Sequence, residues 1–126
     1  MKSKIIKYIL VFLSACFLMA GCGSGNDENV QFVKGGAPNR YPDKTYGEAF
    51  EDFFGNPKWK SFSTDTGVEV VEFTGNCLFD NTEVEALIQF TLDKEAGTFS
   101  VTYLSLNDIS QNNLMITSML EAIFGE

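Results

Sequence analysis

The chain has 126 residues, with nine Lys and Arg against 17 Asp and Glu, no histidine and a formal net charge of −8. An acidic balance of this size repels phosphate backbones and excludes a nucleic-acid binder. Without an imidazole, Ser-His-Asp and Cys-His catalysis within the chain are excluded, and the commonest zinc ligand is missing.

Lys2, Lys4 and Lys7 come first, and no charge falls between Tyr8 and Ala20. A basic start, a short apolar run and a small-residue exit make a signal sequence. The run is shorter than the roughly 20 residues of a spanning helix. Its exit, Leu18-Met19-Ala20-Gly21-Cys22, resembles the bacterial lipobox, with Met19 where Leu is usual. The resemblance implies a diacylglyceryl group on the Cys22 thiol, cleavage before Cys22 and acylation of the new amino group. Two or three chains on one residue anchor a protein stably. The expectation is a lipid-anchored, extracytoplasmic protein on the cell membrane or the outer membrane, with residues 1–21 removed as a lipoprotein signal peptide. What remains is 105 residues, carrying six bases against 17 acids. Cys16 leaves with the signal, so Cys77 is the one free thiol and an intramolecular disulfide is ruled out.

Residues 22–40 read as the lipidated cysteine and a flexible tether. The stretch GSGNDENVQFVKGGAPNR is rich in Gly and Asn, and only VQFV is apolar. Its 18 residues would reach about 60 Å if fully extended. One domain, residues 41–126, follows.

Thr45 and Glu48 stand at the spacing of a capping box. Ala49, Phe50, Phe53 and Phe54 give an apolar stripe, and Gly55 and Pro57 stop it, so a helix is expected over residues 45–54. KWKSFS fits a short strand. Val68 to Phe79 fits a longer one, with Val71, Phe73, Cys77 and Phe79 on one face and a bulge expected at Gly75. Asp80-Asn81-Thr82 turns the chain. EVEALIQFTLD then alternates, with Val84, Ala86, Ile88, Phe90 and Leu92 on one face. After a turn at Lys94 to Gly97, strict alternation puts Phe99, Val101 and Tyr103 together. Asp108 and Gln111 suggest a second capping box, opening a helix with Ile109, Ile116, Met119, Leu120 and Ile123 on one side. The expected fold is α+β: a four-stranded antiparallel meander covered by an N-terminal and a C-terminal helix.

The runs TYGEAFEDFF, NPKWKSF, VVEFTG and VEALIQFTLD resemble an uncharacterised extracytoplasmic module of small cell-envelope proteins, seen chiefly in gut Firmicutes. The resemblance covers roughly residues 36–124 and implies an extracytoplasmic domain without implying an activity. Some of those proteins carry a zinc ribbon ahead of the module; this chain has no Cys-x-x-Cys pair. The helix-and-meander order is also similar to one repeat of β-lactamase-inhibitor-like and outer-membrane assembly lipoproteins.

Three carboxylates, Glu48, Glu51 and Asp52, lie together on the first helix and are the one candidate set for a small hydrolase. Acids on a short helix ordinarily form a solvated face, so no catalytic residue is assigned. Asp80, Glu83 and Glu85 lack the spacing of a calcium loop, so no metal site and no cofactor are assigned. Cys77 has no neighbouring positive charge in sequence and reads as a buried, unpaired thiol. Trp59, Tyr41, Phe62 and Tyr103 are the candidate binding aromatics, for an envelope protein or a glycan. The reading is a non-catalytic binding module held to the membrane by Cys22. Its alternatives are an envelope assembly accessory or inhibitor-like lipoprotein and, behind these, a carboxylate-dependent hydrolase.

Overall fold

A computed structural model describes residues 28–125, so the apolar leader, the lipobox and Cys22 lie outside the described residues. Its first element, helix α1 at residues 28–34, falls where the sequence suggested a tether. The physical reason is the VQFV run. Val30 and Val33 stand one helical turn apart, and both are buried in the main core. Asn29 adds a hydrogen bond from its side-chain amide to Glu69 Oε1 at 3.1 Å. The folded domain therefore begins ahead of residue 41, and the tether reading is corrected for residues 28–34.

Helix α2 (Tyr46–Phe53) opens on the expected capping box. The Glu48 amide donates to Thr45 Oγ1, and the Thr45 amide donates to Glu48 Oε1, both at 3.1 Å. Strands β1 (Gly55–Ser63), β2 (Glu69–Phe79), β3 (Thr82–Asp93) and β4 (Thr98–Leu106) follow as an antiparallel meander. A fifth strand, β5 (Ile109–Ser110), pairs with the end of β4, and helix α3 (Asn113–Gly125) closes the described chain. The class is α+β as expected, with five strands instead of four and a third helix in α1.

Three local features depart from the expected pattern. Pairing of β2 with β3 runs without a break from Glu69↔Leu92 to Phe79↔Thr82, and the irregularity expected here lies in the neighbouring strand: Gly55 pairs with Asn76 but Lys58 with Thr74, so two β1 residues, Asn56 and Pro57, stand opposite Gly75. Gly75 itself marks a close approach: a Cβ there would lie 2.7 Å from Phe54 Cβ and 2.9 Å from the Phe73 ring. A second register shift falls between β3 and β4, where Gln89 pairs with Tyr103 but Phe90 pairs with Val101. Thr102 is the extra residue, and every side chain after it changes face. Finally, Asn107 and Asp108 both adopt left-handed φ values, 49° and 69°. They form a hairpin turn, not a helix cap. The cap of α3 is Asn112, whose Oδ1 accepts from the Met115 amide at 2.9 Å.

The core lies between the helices and one face of the sheet. Phe73, Phe90, Ile88 and Leu104 supply the sheet side; Phe50 of α2 and Ile123 of α3 supply the helix side. Phe50 sits at the centre, with ring centroids 4.9 Å from Phe73 and 5.7 Å from Phe90. Among the described residues, no helix is long and apolar enough to cross a membrane.

Candidate functional site

The four sequence-selected aromatics do not meet. Trp59 turns inward from β1 and packs on Phe73 at 4.8 Å and Phe50 at 5.7 Å. Its Nε1 is buried with no hydrogen-bond acceptor among the described residues. Tyr41 stacks on Phe124 of α3 at 5.5 Å. Phe62 and Tyr103 both lie on the opposite, outer face of the sheet. Strict alternation had put Tyr103 with Phe99 and Val101; the Thr102 bulge moves it across. Phe62 on β1 and Tyr103 on β4 are separated by three strand spacings, about 14 Å.

Two surfaces result. The first is the outer sheet face, where polar side chains surround Phe62, Val70 and Leu87. A row runs across it from Lys60 through Glu72 and Gln89 to Tyr103. Glu72 accepts from Gln89 Nε2 at 2.9 Å and pairs with Lys60 at 3.5 Å. Thr91 and Thr102 hydroxyls bond at 2.8 Å, and the Tyr103 hydroxyl meets Ser110 Oγ at 3.0 Å. Such a face offers hydroxyls, an amide and the ammonium groups of Lys58 and Lys60 at fixed spacing, which suits hydrogen bonding to a protein or a glycan.

The second surface is a groove of about 750 Å³ beside α3, walled by Phe32, Tyr41, Phe99, Leu120 and Phe124. The segment after α1 forms one side. It is held by the Tyr46 amide donating to the Gly36 carbonyl at 2.8 Å. Gly36 runs directly against Phe99, where an added Cβ would lie 2.8 Å from the ring. At the rim, Arg40 reaches Glu121 Oε2 at 3.4 Å and lies 5.8 Å from the centre of the Tyr41 ring. Tyr46 lines the groove too, and burial pushes its phenol above the ordinary range. Of these wall residues the sequence reading selected only Tyr41. The available signal was the apolar VQFV run inside a polar stretch, which sets Phe32 on the groove side and Val33 in the core.

The helix carboxylates carry structural duties. Glu48 caps α2, Glu51 pairs with Lys34 at 3.0 Å, and Asp52 lies 4.0 Å from Lys44 Nζ. Asp80 sits in the left-handed turn between β2 and β3. Among the described residues, no three His, Cys, Asp or Glu side chains converge for a metal ion. Cys77 is half-buried opposite Val84, and burial raises its thiol pKa. Comparison with protein-family models, curated proteins and solved structures finds no match to this chain.

Proposed function

We propose that the chain is a bacterial envelope lipoprotein, anchored on the extracytoplasmic side through lipid-modified Cys22, and that its domain is a non-catalytic module binding an envelope protein or glycan. The observation that carries the anchor is the exit Leu18-Met19-Ala20-Gly21-Cys22 behind three lysines and an uncharged apolar run. The binding half rests on the outer sheet face, which leaves Lys60, Gln89, Tyr103 and the Thr91–Thr102 pair uncovered by any described helix. Assignment of Glu48, Glu51 and Asp52 to a cap and two ion pairs favours binding over hydrolysis.

Metabolic labelling with a palmitate analogue is expected to mark the wild type and not Cys22→Ala; equal labelling of both overturns the anchor. In-cell crosslinking should return one envelope component with the wild type and lose it with Tyr103→Ala at an unchanged thermal midpoint. A carboxylate dispensable for that midpoint, yet required for turnover of a glycan or peptide, would replace the binding module with a hydrolase.

A further inference from the structure

Packing of α1 changes the reach of the anchor. With residues 28–34 fixed in the domain, only six Cα steps separate Cys22 from Glu28, at most about 20 Å. The groove beside α3 opens at this same end of the molecule. A smaller hollow of about 260 Å³, lined by Glu28, Asn29, Phe32, Lys94 and Gly97, adjoins the start of α1. It shares Phe32 and Gly97 with the groove, so the two hollows adjoin at Phe32 and lead from the point where the chain comes in from Cys22, past Glu28, Asn29 and Lys94, toward Phe99 and Leu120.

The lining fits an uncharged, flexible, apolar occupant. Its walls are mainly aromatic and aliphatic, with Asn39, Thr98 and Thr117 among them. Its rim charges, Arg40 and Glu121, already pair with each other. We propose that this groove takes one acyl chain of lipid-modified Cys22. The inference rests on the anchor reading above. The groove shields an acyl chain from water as the bilayer does, so occupancy is set by fit to these walls and by the short link, which makes the encounter intramolecular. A residue bearing two or three chains can place one in the groove while the others stay in the bilayer. The groove is then a holding site for part of the anchor, separate from the outer sheet face.

The test uses the full-length chain, expressed in bacteria fed a diazirine-bearing palmitate analogue, irradiated and mapped by mass spectrometry. The expected result is label on Cys22 joined to peptides of the same chain that carry Phe32, Phe99 or Leu120. Leu120→Glu puts a charge in the wall, and Thr117→Trp fills the groove from its exposed side. Both should retain the label and lower these crosslinks by about tenfold, a change of some 1.4 kcal/mol in occupancy. If Leu120→Glu lowers the thermal midpoint, Thr117→Trp carries the test. Label on Cys22 with crosslinks only to phospholipid or other proteins, or crosslinks indifferent to both variants, overturns the acyl site and leaves the anchor standing. Absence of label removes the anchor and this inference together.

Discussion

Tyr46 and Cys77 are side chains whose acidity is altered by burial, and both shift in the same sense. Tyr46 packs edge-on against Phe90, Phe99 and Phe124 at 5.4, 5.3 and 5.0 Å. That ring cluster withholds water from a phenolate, so the pKa rises above 10.0. Cys77 loses hydration beside β3 and rises above 9.0. In each case the unfolded chain releases its proton first as pH climbs. The stabilisation is therefore complete below the ordinary pKa and is lost as pH rises through the folded one. Chemical denaturation at stepped alkaline pH should show stability level up to about pH 9 and declining beyond it. Cys77→Ala should delay the onset toward the tyrosine range, and Tyr46→Phe should leave the early onset in place. Stability that rises over this interval would contradict both assignments. Neither shift can be read from sequence, because parity places Cys77 on the inner face without saying how much of it the helices cover.

At the level of single elements, the legible parts are those fixed by neighbours in sequence. The α2 cap depends on Thr45 and Glu48, three residues apart, and both reciprocal bonds form. The alternation of β3 survives because its inward residues, Val84 to Leu92, are all buried. What sequence left unread depends on partners. Thr102 bears no mark of a bulge; its place follows from how β4 must register against Gln89 and Phe90. Asn107-Asp108 satisfied two readings, a helix cap or a left-handed turn, since both residue types suit each. Pairing of Leu106 with Ile109 selects the turn. For α2, Thr45→Ala is expected to cost about 0.5–2 kcal/mol. Exposed Asp52→Ala should stay within about 0.5 kcal/mol. Urea denaturation of the two variants checks the pair, and equal losses would remove the cap from the account of stability.

For the molecule as a whole, the decisive element is α1. Burying a valine side chain contributes roughly 1.5–3 kcal/mol. Val30 and Val33 are both in the core, so a chain starting at residue 41 lacks two such contributions. Compared with a chain starting at residue 23, it should lose about 3–6 kcal/mol, a large share of the 5–15 typical of a domain. Denaturant midpoints of the two chains make the measurement, and equal midpoints would mean that α1 contributes nothing. A polar, Gly-rich stretch gives little sign of this. The i, i+3 valines become a buried stripe only because the ends of the sheet and of α2 leave an apolar space for them.

The position of the single tryptophan carries a spectroscopic consequence. Trp59 lies within the aromatic core, and Lys34 Nζ, on α1, stands 5.7 Å from the centre of its ring. One indole therefore senses two events, the opening of the core and the departure of α1 from it. Release of α1 alone removes a cation from the indole face and admits water, which moves the emission before the fold is lost. Intrinsic fluorescence of the native chain, with no added dye, thus reads out whether α1, the described segment nearest the proposed anchor, is docked.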